Sequence, residues 1–410
     1  MYKGKALNLQ IIGESHSESI GMILSGVPKD ININLQELQN FVDRRKSNSS
    51  KYSTKRKEKD KIILQSGIQN NATETFCTNG EDIKFCIKNE CQNSTDYNNL
   101  KNIPRPSHAD YPAYIKYNGQ SLVGGGKFSG RMTAPICIAG GIAKQILAQK
   151  NIFVGAYVSE IGNILSCSYK QKKITYDDIK KAQQNSLHLI NSKSALDILN
   201  KIEVAQKEGD SLGGVVEAIA FNVPVGLGDN LFDGLESYIS NAIFAIPAVK
   251  GVEFGIGFDI AKLCGSSAND CYTLKNDCKN SATVCKIGAT VKTSATDSET
   301  SVTDSKMSVI HSETSVTDSK VSVMHGETSA VNATNVKDIT SKITCTSNNN
   351  GGIVGGMSNG MPLCVRVAIK PTPSIFKQQD SVDLQTLQNV KLNIEGRHDT
   401  CIVPRAVVCV

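Results

Sequence analysis

Between residues 298 and 325 the chain repeats itself. "SETSVTDSKMSVIH" (298–311) runs directly into "SETSVTDSKVSVMH" (312–325), and a third copy begins at Gly326. Two copies and a fragment, thin in apolar side chains, cannot stack into a solenoid core. The surrounding stretch, from about Ser266 to Asn350, is rich in Ser, Thr, Asp and Lys. A low-complexity insert, disordered or weakly β, is expected over 266–350. It interrupts a domain rather than forming one, so the fold must come from the flanking pieces.

Those flanks are ample. A chain of 410 residues with 40% hydrophobic content can bury a substantial core, as one large domain or two ordinary ones. The net charge of +6, from 45 basic and 39 acidic residues, is too small and too dispersed to argue for nucleic acid. A local cationic pocket for a small anion suits it better. No segment reaches the roughly 18 uninterrupted apolar residues of a membrane span, and Asn8, Gln10 and Glu14 interrupt any secretory h-region. A soluble, cytosolic protein is expected. Thirteen cysteines without C-x-x-C spacing indicate neither a zinc site nor a disulfide framework. Reduced thiols are the expectation, and no metal.

Periodicity predicts helices over Leu35–Asp43, over 133–149, from Ser192 to Lys207 and near Leu235–Ile246. In the third, Leu196, Leu199 and Ile202 read as the core stripe and Gly209 as the stop. In the fourth, Tyr238, Ile239, Ala242 and Ile243 share a face. Alternation is clearest in "LCVRVAI", with Leu363, Val365, Val367 and Ile369 on one side and Arg366 on the other. "RRKSNSSKYSTKRKEKD" reads as a flexible basic stretch. "RPSHADYPAYIKY" (105–117) fits neither period and reads as a loop bounded by Pro106 and Pro112.

Candidate chemistry gathers in a few glycine- or proline-marked segments. His16, His108 and His398 lie in "GESHS", "RPSHAD" and "GRHDTC", where a side chain titrating near neutrality can act as a general acid or base. Arg44, Arg45, Arg56, Arg105, Arg131, Arg397 and Arg405 sit beside glycines, serines or histidines, and the planar guanidinium suits carboxylate and phosphate. Glycine-rich turns, "GGGKFSGR" (124–131) and "NNNGGIVGGMSNG" (348–360), let backbone N–H groups approach a phosphate. A P-loop is excluded, because Ser121 stands where its first glycine belongs and Phe128 follows Lys127. No Rossmann fingerprint opens a helix after a strand either.

Taken in order, "GESHS", "DRRK", "RPSHADYPAYIKY", "GGGKFSGRMTAP", "EGDSLGG", "PVGLGDNLFDGLES", "AVKGVEFGIGF", "NNNGGIVGGMSNGMP", "KPTPSI" and "GRHDTCIVPRAV" resemble the chorismate synthase family. Only the insert falls outside the match. The resemblance implies one domain over 1–410, an α+β fold in which antiparallel sheets sandwich an inner helical layer, and a homotetramer. It implies a lyase that turns 5-enolpyruvylshikimate 3-phosphate into chorismate by 1,4-elimination of phosphate, requiring reduced FMN. By the same resemblance Arg45, Lys51, Arg105 and Arg131 bind the anionic substrate, His16 protonates the leaving phosphate, His108 serves the flavin and Asp399 acts in removing the ring proton. Flavin contacts carry over to Lys127, Phe128 and Ser129, to Pro247 and Ala248, to Gly355, to Lys370, Pro371, Thr372, Pro373 and Ser374, and to Arg397. Whether NADPH or an external flavin reductase supplies the electrons is left open. Phe128, Met132 and Lys51 depart from the residues usual in the family, and the chain stops at Val410 where the family usually continues. Those departures keep a second reading open, a non-catalytic flavin- or phosphate-binding relative.

Overall fold

The computed structural model describes residues 1–46, 58–69, 74–90, 102–119, 123–275, 339–394 and 398–410. A five-stranded antiparallel sheet forms from Tyr2–Lys3, Asn8–Ile12, Ser19–Ser25, Ile83–Lys88 and Ile63–Ser66, in that spatial order. Alternation in Ser19–Ser25 sends Ile20, Met22 and Leu24 to one buried face. Two helices cover that face. Leu35–Asp43 is capped by the Asn34 side chain, which accepts from the Glu37 N–H at 2.7 Å, and it buries Leu38 and Val42. Thr133–Ala148 buries Ala134, Cys137, Ile138 and Ile142 in the same core. Its glycine pair has a packing reason: a Cβ on Gly141 would stand 2.5 Å from Leu38 Cδ1, so the two helices meet only because that side chain is absent.

The second sheet is also antiparallel and five-stranded, ordered Val249–Phe254, Leu363–Ile369, Gly214–Phe221, Phe153–Ile161, Ile164–Leu165. One face supplies Ala156, Val158, Val216, Ala218, Val365 and Val367 to a core completed by Ile198, Ile202, Ile243, Ile246, Val403 and Val407 from helical segments. The short helix Val403–Ala406 and the residues after it form the seam: Val403 and Val407 pack into this core, Val408 into the first. Two antiparallel sheets around a helical layer is the expected sandwich.

The other face of the second sheet holds a buried charge. Glu217 is fully buried and accepts from Tyr157 Oη, from Ser159 Oγ at 3.0 Å, Ser168 Oγ at 2.6 Å, the Tyr169 N–H at 2.9 Å and Arg366 Nε at 3.0 Å. Five donors are what keeps a carboxylate tolerable at such depth.

Several expectations are corrected. The helix Ala195–Lys207 buries Ile198, Ile202 and Ala205, while Leu196 is 67% exposed. Leu196 lies six residues from Ile202, about 120° round the helix, and so leaves the stripe. In Leu235–Phe244 Ile243 is buried but Ala242 is exposed. "DYPAYIK" (Asp110–Lys116) is a helix, not loop, because Pro112 falls in the first turn, where its missing N–H has no helical acceptor to lose. The ends of the 266–350 stretch are ordered: Tyr272–Leu274 pairs antiparallel with Ile343–Cys345, and Asp270 accepts from the backbone N–H groups of Asn349 and Asn350 at 2.7 and 2.9 Å. The repeat itself, like the basic stretch 47–57, lies outside the described residues.

Candidate active site

A cleft of about 370 Å³ opens where loops from both halves of the sandwich meet the seam. Its walls carry Arg45, Arg105, His108, Phe128, Ser129, Pro247, Ala248, Lys370, Thr372, Pro373 and Asp399, eleven of the residues singled out by sequence. Four cations line it (Arg45, Arg105, Lys370, Arg405) against two carboxylates (Asp110, Asp399), so the residual charge is positive. Phe128, Ile246, Pro247, Ala248, Ile402 and Ala406 give it apolar walls. Gly125, at φ 86°, makes a left-handed turn beside Arg105 that L side chains rarely adopt.

Three cleft arginines are each aimed by an acid, and two of those acids, Asp60 and Asp110, were given no role by sequence reading. Asp60, 1% exposed, receives Arg45 Nη2 at 2.8 Å on one oxygen and Arg131 Nη1 on the other. Burial pushes the Asp60 carboxyl up, but the two guanidinium groups outweigh it and hold it below the usual carboxylate range. Asp110 accepts from Arg105 Nε at 2.7 Å and Nη2 at 2.9 Å, a bidentate pair across the start of the helix. Arg405 was seen only as one of several cations. It donates to Asp399 at 2.5 Å and to the Arg45 carbonyl at 3.0 Å, locking the 9%-exposed Asp399 into the wall.

His108 is held at both ring nitrogens. Nδ1 lies 3.0 Å from the Pro106 carbonyl, which can only accept, and Nε2 lies 2.9 Å from Ser374 Oγ. The ring therefore carries its proton on Nδ1 and accepts from the serine hydroxyl. Burial, then the nearby Arg105 charge, lowers its pKa to about 4, so it is neutral at physiological pH. Lys370 Nζ donates to the Ser107 carbonyl at 2.7 Å, and with Ser374 it ties "KPTPSI" to "RPSHAD".

The remaining expected residues stand outside the lining. His16 is half-buried in the turn after Asn8–Ile12, with Nδ1 3.0 Å from Ser15 Oγ. Asn89 joins that turn to Arg131, donating to the Ser17 carbonyl at 2.7 Å and accepting from Arg131 Nε at 2.9 Å. Arg131 thus positions its neighbours from behind the wall. Lys127 is exposed beside the cleft loop, and Pro371 and Ser374 back the wall formed by their neighbours. Gly355 sits at the exposed tip of a hairpin, Ile353–Val354 with Met357–Ser358, whose outer residues Ile353 and Ser358 are buried, and does not line the cleft. Lys51 and Arg397 lie outside the described residues.

A sandwich with a cation-rich, apolar-walled cleft, a buried carboxylate and a neutral imidazole defines an enzyme for a small, multiply charged anion. The comparisons with known proteins make that specific. Residues 7–410 match the family model described as chorismate synthase. The chorismate synthase of Dehalococcoides mccartyi is 39% identical over 98% of this chain and 91% of its own length. That of Korarchaeum cryptofilum is 37% identical over 99% and 93%, and that of Thermococcus kodakarensis 35% over 99% and 92%. A crystal structure of chorismate synthase superimposes with a TM-score of 0.64, at 24% identity, over 99% of this chain and 88% of that one, a likeness of fold. The chain belongs to the chorismate synthase family.

Proposed function

We propose that this chain converts 5-enolpyruvylshikimate 3-phosphate to chorismate and inorganic phosphate, with reduced FMN as cofactor. The observation that carries the reading is the cleft's charge, four cations against two carboxylates, beside an apolar wall. The substrate's phosphate and two carboxylates need such an excess. The reaction breaks a carbon–oxygen bond to phosphate at one end of a conjugated system and a carbon–hydrogen bond at the other, with no net change of oxidation state. Arg45, Arg105, Lys370 and Arg405 hold the anionic groups. Lys51, outside the described residues, joins them on the family resemblance, and Arg131 acts through Asp60 and Asn89. His16 gives a proton to the departing phosphate, and Asp399 takes the ring proton. His108, neutral and fixed by Ser374 and Pro106, presents an oriented ring without adding charge.

The residues present fit a flavin: Phe128, Pro247, Ala248 and Pro373 give flat apolar contact, and Arg45, Arg105 and Lys370 offer cations to its phosphate. These residues, with Lys127, Ser129, Pro371, Thr372 and Ser374, would hold it; Gly355, off the cleft lining, and Arg397, outside the described residues, join them on the family resemblance alone. When bound, the reduced ring supplies electron density to the substrate during phosphate loss. Electrons come from NADPH bound by this chain or from an external flavin reductase; turnover with oxidised FMN and NADPH alone separates the two. A cytosolic homotetramer is part of the same reading. Ten free cysteines among the described residues suit a reducing compartment. Leu231 and Phe232, 82% and 90% exposed, near the exposed Val354 and Met357, suit a subunit interface. Relatives at 33–39% identity over nearly the whole chain favour the enzyme over a non-catalytic binder.

Anaerobic incubation with the substrate and chemically reduced FMN should yield chorismate and phosphate in equal amounts. Flavin binding with no product would leave the non-catalytic reading standing.

A further inference from the structure

We infer that Cys409 and Cys137 form an oxidation site in the cleft wall, at which hydrogen peroxide entering the cleft is reduced to water and the two thiols close as a disulfide. Cys409 Sγ and Cys137 Sγ are 3.8 Å apart, on segments 272 residues distant in sequence. Cys409 lines the cleft and is half-buried; Cys137 is 2% exposed, on the helix behind it. Both also line a second cavity of about 230 Å³ on the far side of the seam, which leaves room for the sulfurs to move. A disulfide needs roughly 2 Å, so closure requires the sulfurs to approach by about 2 Å more. The two thiols are not equivalent. The hydrogen bond from Cys137, then the nearby Arg45 charge against burial, lowers the Cys409 pKa to about 7, whereas the Cys137 thiol is pushed well above its ordinary value by that same pairing and by burial.

The order of steps follows. The Cys409 thiolate attacks the peroxide, an S–O bond forms as the O–O bond breaks, and the displaced hydroxide leaves as water after taking a proton. Cys137 then attacks the sulfenic sulfur, the S–S bond forms, and the departing hydroxide carries off the Cys137 proton as a second water. Two thiols are oxidised and one peroxide is reduced. The new bond would draw Cys409 Sγ away from the Arg405 carbonyl, now 3.7 Å from it. Arg405 holds both Asp399 and the Arg45 backbone, so closure strains the groups around the anion site.

The linkage does not depend on the reaction proposed above; only its effect on turnover does. Reduced full-length protein treated with hydrogen peroxide, cleared with catalase, alkylated and digested should yield a Cys137–Cys409 linked peptide by mass spectrometry. A mild thiol reductant should remove it. Turnover measured anaerobically should fall roughly tenfold or more and return with the reductant. Cys409→Ser should abolish the linked peptide, and the treated-to-untreated activity ratio of that variant should stay near one. Cys137→Ser should instead leave a dimedone-reactive sulfenic acid at Cys409. Recovery of both cysteines as separately alkylated peptides from treated wild-type protein would overturn the inference, whatever the variants do. So would equal peroxide sensitivity of Cys409→Ser and wild type.

Discussion

Asp60 shows how a buried acid can govern a cationic site. It is shared by Arg45 and Arg131 from 15 and 71 residues away in sequence, leaving that trio with a net positive charge, and no local pattern announces it. The arginines themselves were legible, because glycine- and serine-flanked guanidinium groups point to an anion; their counter-charges were not, since pairing depends on the folded path. Asp110 was nearer to hand, five residues from Arg105 in the same motif. Asp60→Asn should leave two buried guanidinium groups short of charge and cost about 3–5 kcal/mol, read from urea unfolding. A loss under 1 kcal/mol would mean solvent already shields the pair. Two histidines set a pH dependence. His108 and His188 both have pKa values lowered to about 4, chiefly by burial, from an unfolded value near 6.5. Between those values the unfolded chain binds the more protons, so stability is complete above pH 6.5 and declines as the pH falls toward 4. Melting temperature followed from pH 7.5 to 4 should show that decline. His188→Asn, tolerable at a φ of 55°, should roughly halve it, leaving the His108 share; an unchanged slope would assign the decline to other groups.

Regular elements were read well where periodicity was strong and poorly where a proline or a tertiary contact decided. Leu35–Asp43 and Leu363–Ile369 stand where the pattern put them. The Asp110–Lys116 helix carries no clear sequence signal, because Pro112 looks like a breaker unless the helix start that makes it a first-turn residue is known. Composition drew the insert too wide, since a three-residue ladder and the Asp270 contacts at its ends look no different from the polar sequence around them; 276–338 lies outside the described residues. Replacing only 276–338 by a short Gly/Ser linker should preserve folding and flavin binding, because Leu274 and Ile343 are already paired across the gap. Extending the deletion to 266–350 should lower solubility and stability by removing Asp270 and the buried Asn348 and Asn349. Loss of soluble protein from the shorter deletion would assign the insert a structural task. Within the second sheet, Glu217→Leu should cost less than Glu217→Ala, because it refills the volume while both strand the same five donors; calorimetric melting compares them.

Across the molecule, the cleft exists because segments near residues 45, 105, 125, 247, 370 and 399 converge on the seam between two sheets. The order of ten motifs identified the family and so implied the sandwich, whereas periodicity alone reached only mixed α and β, because strand order and layer order leave no local trace. Residue roles divide the same way: the resemblance named His16, His108 and Asp399, and the geometry brings the last two to the cleft. His16→Ala should slow turnover by roughly two to four orders of magnitude. Asp399 is the harder case, since its pairing with Arg405 gives it a structural task as well. Asp399→Asn keeps the shape and an oxygen for Arg405 but loses the base. The deciding measurement is anaerobic single-turnover phosphate release by Asp399→Asn, with substrate and FMN affinity determined on the same preparation. Both ligands should bind near normally while phosphate release falls by roughly two to four orders of magnitude, with a larger isotope effect at the departing ring hydrogen; release at the wild-type rate would contradict the assignment and leave Asp399 as the partner of Arg405 alone.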